Sequence, residues 1–159
     1  MDNQLLAGAR ALVALHARAT LGLREMGISR TRNPLGEYVE WLVSLVLGLE
    51  RQPPNTPFDA KDADGLRYEI KGRMTESGSG SLLQPHRTTR LGRFHSGNFD
   101  VLVGVFVDAQ VNVNVAFSMA HDDAIQLAYK TASGEYVLTA NAATLRDPRV
   151  TDLTQRFQF

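Results

Sequence analysis

Residues 35–48 set the framework for the rest of this chain because they are apolar on almost every side. Asn33 and Pro34 come directly before the segment, and this pair is typical of an N-cap followed by the first helical position. The pattern predicts a helix that is buried nearly all round except for one narrow polar stripe. The stripe consists of the few non-apolar positions in the segment: Gly36, Glu37, Glu40, Ser44 and Gly48.

Length and composition predict one globular domain spanning residues 1–159. The chain is 43% apolar and 21% charged, and at 159 residues it can bury a core without covalent crosslinks. It has no cysteine, which excludes disulfides, cysteine-bound zinc and thiol nucleophiles, and a reducing cytoplasm is the default expectation. No apolar run has the length of a membrane span, and arginines interrupt the N-terminal segment, so we expect no membrane partner and no export.

Apolar periodicity and turn residues predict the other elements. We expect helices over about 4–26 and from Ser118 to about Lys130, and strands over 58–62, 66–72, 99–107, 111–117 and 135–139. The proline-rich residues 51–57 predict a loop, and the glycine- and serine-rich residues 74–98 predict a long mobile one. This order predicts an α/β fold with a mixed sheet, helices on its faces, and a core spanning about 34–140.

The strands at 58–62 and 66–72 form a predicted hairpin whose register decides which side chains meet. A two-residue turn at Asp64 and Gly65 would point Asp59 away from Glu69. A three-residue loop with Gly65 in the left-handed conformation instead places Asp59 opposite Glu69, and Lys71 then shares their face. The second register would bring three ionisable groups together.

Asp59, the tripeptide Glu69-Ile70-Lys71 and a preceding helix that bears Glu40 together resemble the PD-(D/E)xK nuclease superfamily. The resemblance implies a restriction-endonuclease-like fold with an α-β-β-β-α-β core, here with an extra N-terminal helix. It implies that Asp59, Glu69 and Glu40 hold Mg²⁺, with Mn²⁺ able to substitute and Ile70 as a further metal contact, and that Lys71 activates water. Whether Glu40 or Glu37 is the helix ligand stays open.

The chemistry of these side chains suits hydrolysis of a phosphodiester, most naturally in DNA. Hard oxygen ligands hold Mg²⁺, which lowers the pKa of bound water and stabilises charge on phosphate oxygens. The net charge is zero, yet residues 36–70 carry seven acidic and three basic side chains, and residues 71–98 carry five basic and one acidic. We therefore expect the nucleic acid to contact the basic segment, with these candidates: Arg73, His86, Arg87, Arg90 and Arg93.

Several alternatives stay open at this point. A nuclease-fold module could bind nucleic acid or a protein partner without cutting it, and Glu37 and Glu40 could simply be the solvated face of a packed helix. A small-molecule-binding domain is disfavoured because no glycine-rich phosphate loop follows a strand. DNA or RNA as substrate, endonuclease or exonuclease action, and a monomer or a homodimer are not decided by the sequence.

Overall fold

The computed structural model describes residues 3–31, 33–75 and 89–158, with the side chains of residues 3, 5 and 6 left aside. Its helices are α1 (Asn3–Glu25), α2 (Pro34–Leu47), α3 (His121–Leu127), α4 (Ala142–Leu145) and a terminal 3-10 turn (Thr154–Phe157). Its strands are β1 (Glu50–Arg51), β2 (Ala60–Lys61), β3 (Arg67–Met74), β4 (Thr89–Phe94), β5 (Val101–Val107), β6 (Val113–Ala120), β7 (Tyr129–Lys130), β8 (Tyr136–Ala140) and β9 (Thr151–Asp152). None of the described helices combines the length and hydropathy needed to cross a bilayer.

Six of these strands form one mixed sheet. Their order is β1-β2-β3-β5-β6-β9, and β3 and β5 are parallel while the other neighbours are antiparallel. Mixed pairing with helices and further strands against the faces confirms the α/β class. The apolar run at 99–107 is confirmed as the source of an interior strand, β5, which is buried on both faces.

Helix α2 covers one face of the sheet. It begins as predicted, with the Asn33 side chain accepting a hydrogen bond from the Gly36 amide at 3.1 Å and Pro34 in the first turn. Val39 and Val43 pack with Ile70 of β3 in an apolar cluster that includes the odd-numbered valines of β5. Gly72 permits the close approach, since a Cβ there would lie 2.6 Å from a methyl of Val39.

A second sheet, of order β4-β8-β7, packs on the opposite face together with α3. Leu91 and Phe94 of β4 and Leu138 of β8 are buried against Leu102 and Phe106 of β5. The even-numbered and odd-numbered residues of β5 therefore serve two separate apolar clusters.

Of the loop predicted over residues 74–98, residues 76–88 lie outside the described residues, and the prediction was wrong for residues 89–94, which form the strand β4. Arg90 pairs with Thr139 while Gly92 pairs with Leu138, so Leu91 is an extra residue in a bulge. The bulge buries Leu91 and Phe94, three residues apart, instead of positions two apart. The alternation that would have revealed the strand is therefore missing from the sequence.

The helix predicted from Ser118 was also misplaced. Ser118 lies inside β6, paired with Val103 on one side and Thr151 on the other, and helix α3 begins only at His121 without a side-chain cap. Tyr129 and Lys130, predicted as helix, form β7. Strand β6 runs on because the backbone of β5 needs hydrogen-bond partners along its whole length.

Candidate functional site

The hairpin between β2 and β3 has the register that brings the candidate residues together. Ala60 pairs with Tyr68, and the Asp62 amide donates to the Leu66 carbonyl at 3.1 Å. The loop therefore has three residues, and Gly65 is left-handed with φ of 86°. This confirms the three-residue alternative, and it sets Asp59 level with Glu69.

Asp59 is tied to the neighbouring strand by two hydrogen bonds. Its amide donates to the Tyr68 carbonyl at 2.9 Å, and its carboxylate Oδ2 accepts from the Ile70 amide at 2.7 Å. One carboxylate oxygen is thus held at β3, between the positions that carry Glu69 and Lys71. Ile70 itself is buried in the core under α2.

Glu69 and Lys71 form a close ion pair on the face of β3 opposite to Ile70. Lys71 Nζ lies 2.5 Å from Glu69 Oε1, and the two side chains are only 25% and 12% exposed. Burial raises the pKa of Glu69, and the charge of Asp59 adds to the effect while Lys71 opposes it. Gly92 of β4 packs over the aliphatic part of the Lys71 side chain. A Cβ added at Gly92 would lie 3.4 Å from Lys71 Cδ.

Burial tends to lower the pKa of Lys71, but the carboxylates of Glu69, Asp59 and Glu40 outweigh it and the pKa is raised. Lys71 therefore keeps its proton at neutral pH. An ammonium can donate hydrogen bonds and stabilise negative charge, but it cannot accept a proton. That restricts what Lys71 can do to a substrate.

Glu40 joins the cluster from helix α2. Burial, followed by the charge of Asp59, raises its pKa to about 7, although Arg51 and Arg30 act in the opposite direction. The guanidinium of Arg30 lies 3.5 Å from Glu40 Oε2 and that of Arg51 lies 3.8 Å away. Glu40 is thus a carboxylate whose charge changes near neutral pH.

Glu37 has a different role from Glu40. Its side chain is buried and accepts a hydrogen bond from the Arg30 backbone amide, which anchors the segment that precedes α2. The polar stripe of α2 is therefore not a solvated face: Glu37 and Ser44 are buried, whereas Leu45 is 65% exposed. Glu40 of the stripe faces Arg51 of β1, whose guanidinium lies 3.8 Å from the Glu40 carboxylate.

A cavity of about 170 Å³ opens beside this cluster, between the start of α2 and the segment after β1. Its charged lining residues are Arg30, Glu37, Glu40 and Asp59. Sequence reasoning did not place Arg51 at the site. A two-residue strand such as β1 is too short to show an alternation of apolar and polar residues. The only signal in the sequence was that Arg51 follows shortly after a helix with two glutamates.

The residues described here fit a divalent cation in chemistry but not fully in spacing. Asp59, Glu69 and Glu40 supply the carboxylate oxygens that Mg²⁺ prefers. Within residues 3–31, 33–75 and 89–158, however, no three His, Cys, Asp or Glu side chains lie close enough to one another to hold a metal ion. Asp59, Glu69 and Glu40 interact electrostatically with neighbours in the cluster, without forming a closed set of ligands.

The arginines predicted to contact nucleic acid lie in two different settings. Arg73 is exposed at the end of β3, and its Nε donates a hydrogen bond to the Leu91 carbonyl at 3.2 Å. Arg90 is exposed on β4, whereas Arg93 is paired with Glu135 at 3.0 Å. His86 and Arg87 lie outside the described residues.

Comparison of the chain with protein-family models and with curated proteins found no match.

Proposed function

We propose that the protein is a Mg²⁺-dependent nuclease of restriction-endonuclease-like fold that hydrolyses phosphodiester bonds, most naturally in DNA. The observation that carries the proposal is the position of Lys71, whose ammonium lies in the field of three carboxylates, from β3, from the residue before β2 and from α2. An acidic cluster around one buried lysine has little value for stability alone, since burying charges costs free energy. It has a use where a phosphate and a cation must be held together.

In this proposal Asp59 and Glu69 hold the cation, with Glu40 and the Ile70 carbonyl as further contacts. The cation, when bound, would polarise the phosphate and lower the pKa of a bound water. Lys71 supplies a fixed positive charge and hydrogen-bond donors to anionic oxygens. The Ile70 amide holds Asp59 in place through its 2.7 Å hydrogen bond.

The test is cleavage of supercoiled, linear and branched DNA with and without Mg²⁺ or Mn²⁺, comparing the unmodified protein with Lys71→Ala. We expect metal-dependent cleavage by the former and none by the variant, while both bind DNA. Lys61→Ala is the matched control, because Lys61 is a half-exposed lysine on the same hairpin, paired with Glu50 at 3.2 Å. Equal loss of activity in both lysine variants would contradict a specific role for Lys71.

A second candidate is a nuclease-fold module that binds nucleic acid without cutting it. The spacing of the carboxylates favours it, since no closed set of metal ligands exists among the described residues. The same experiment separates the two functions. DNA binding that needs no divalent cation, with no cleavage of any substrate, would favour the module.

A further inference from the structure

Helix α1 carries an apolar stripe that the described part of the chain does not cover. Residues 7–19 are exposed without interruption, and Leu12 and Leu15 are 71% and 60% exposed. Within residues 7–25 of the described chain, α1 is half-buried near its C-terminal end, at residues 20, 22 and 23. Large exposed apolar stripes of this kind mark interaction sites.

The spacing of the stripe is that of a helix pair. Leu12, Ala19 and Met26 recur every seven residues, and Leu15 and Gly22 follow the first two at an interval of three. A seven-residue repeat of apolar side chains keeps one seam of the helix facing a partner helix. A helix lying on a bilayer would gain little from Ala19 and Gly22, since lipid affinity comes from bulky apolar side chains.

The charges of α1 are compatible with pairing of two identical helices. At about 100° per residue, Arg10 and Arg24 lie on the side opposite the stripe and Arg18 lies on its flank. No charged residue falls within the stripe. Two copies joined along it would therefore keep their arginines apart.

We propose that α1 pairs antiparallel with α1 of a second copy of this chain, forming a two-fold symmetric dimer. Leu12 would then lie beside Leu15 of the second copy, and Ala19 beside its Gly8. The inference does not depend on the nuclease activity.

An apolar groove at the base of α1 explains the antiparallel direction. The groove has a volume of about 500 Å³, and its apolar lining includes Leu23, Leu35, Tyr38, Met74 and Val111. Because α1 joins the body by its C-terminal end, an antiparallel partner helix brings its first turns to this groove. Each copy fills the groove of the other, as a two-fold interface requires.

The interface area also requires the groove. A helix of 23 residues is about 34 Å long and about 10 Å wide, so pairing the helices alone would bury only about 700 Å². Stable interfaces bury about 1,200 Å² or more. The two grooves, one in each copy, must supply the difference.

The first test is sedimentation velocity over a wide range of protein concentration. The unmodified chain should be a dimer, and the double variant Leu12→Asp with Leu15→Asp should be a folded monomer that melts at the temperature of the unmodified chain diluted until it is also monomeric. The matched control is Val13→Asp with Leu21→Asp, which places the same charges on exposed apolar positions of the far side, and it should remain dimeric. A monomeric wild-type chain, or a dimer that survives the stripe variant, would overturn the proposal, as would a monomer that binds anionic vesicles through the stripe.

The second test fixes the direction of the pair. The chain has no cysteine, and Gly8 has open space around it, so single cysteines can be introduced cleanly. Mild oxidation should join Gly8→Cys chains to Ala19→Cys chains and should join neither variant to itself. Efficient crosslinking of Ala19→Cys to itself would mean a parallel pair and would overturn the antiparallel arrangement.

Discussion

Burial and the neighbouring arginines act on the pKa of Glu40 in opposite directions. Two arginines lie within 4 Å of its carboxylate, yet burial and the charge of Asp59 hold its pKa at about 7. The free energy of unfolding must therefore depend on pH through Glu40.

We predict that the free energy of unfolding falls as pH rises between about 4.5 and 7 because of Glu40. The folded protein keeps the Glu40 proton up to about pH 7, whereas an unfolded glutamate releases it near 4.5, so the folded state binds more protons in this window. At about 1.4 kcal/mol per pKa unit, Glu40→Gln should gain about 3 kcal/mol relative to wild type between pH 4 and pH 8. Urea unfolding at a series of pH values measures this, with the exposed Glu50→Gln as control. A difference between wild type and Glu40→Gln that does not vary with pH would contradict the prediction.

Asp59 gives a second prediction, in which Mg²⁺ is the variable. Gathering carboxylates is repulsive until a cation binds, so saturating Mg²⁺ should raise the melting temperature of wild type. At a hundredfold excess over Kd, binding adds about 2.7 kcal/mol to the free energy of unfolding. Asp59→Asn should be as stable as wild type or more stable without metal, since an amide oxygen can still accept from Ile70, and should lose the Mg²⁺ response. Asp64→Asn, an exposed turn residue, should keep it. A full response in Asp59→Asn would show that the cation binds elsewhere.

Among single residues, the position of Asp59 could be predicted from the sequence because the two strands of its hairpin are close together in the chain. Gly65 and the alternation of β3 are both readable within a dozen residues and limit the register to two alternatives, of which the structure has the three-residue loop. The environment of Glu40 was not readable, because Arg51 and Asp59 reach it through tertiary packing. Glu37 was misjudged for the same reason: its partner is a backbone amide, which every residue but proline carries.

Among the elements, the contact between α2 and β3 positions the site most directly. Gly72 lies where the helix comes closest to the strand, on the face of β3 that carries Ile70. The separation of Glu40 from Asp59 therefore depends on a position that has no side chain.

We predict that Gly72→Ala destabilises the protein by about 2 kcal/mol, the usual cost of overpacking a core. The new methyl would meet Val39, whose Cβ and nearest methyl lie 2.8 Å and 2.6 Å from it. Adding Val39→Ala to the variant should recover only part of the loss, because it removes the opposing methyls but keeps the Cβ that lies 2.8 Å from the new methyl. Chemical denaturation of the two single variants and the double variant gives the coupling free energy, and additive effects would argue against a direct clash.

The elements that the sequence missed share a physical cause. Strand β4 is broken by a bulge, and β1 has only two residues, so neither shows an alternation long enough to be seen. Elements with a full period of their own, such as α2 and β5, were predicted nearly to the residue. The end of β6 was misjudged since its length is set by the strand beside it.

For the whole molecule, zero net charge means that attraction for a polyanion must come from local patches. Arg73 is exposed on β3, the strand that bears Lys71, and Arg90 is exposed on β4, whose Leu91 carbonyl accepts a hydrogen bond from Arg73. Arg93 lies on the same strand as Arg90 but is already paired with Glu135. The two residues of β4 thus form a natural comparison.

We predict that Arg90→Ala flattens the slope of log affinity against log salt for duplex DNA by about one unit, because one fewer phosphate is neutralised. Arg93→Ala should change the slope less, since Glu135 already compensates its charge. Both variants should melt near the wild-type temperature, as exposed positions usually do. Binding titrations at several salt concentrations measure the slopes, and equal slopes for wild type and Arg90→Ala would move the nucleic-acid contact away from β4.

The outer strands of the main sheet affect how the protein behaves when crowded. At the two ends of the described sheet lie β1 and β9, each only two residues long. Such short ends offer a neighbouring molecule almost no ladder of free amides and carbonyls to extend, which is how natural sheets avoid growing into fibrils. Addition of a further strand at β1 or β9 is therefore disfavoured even at high protein concentration.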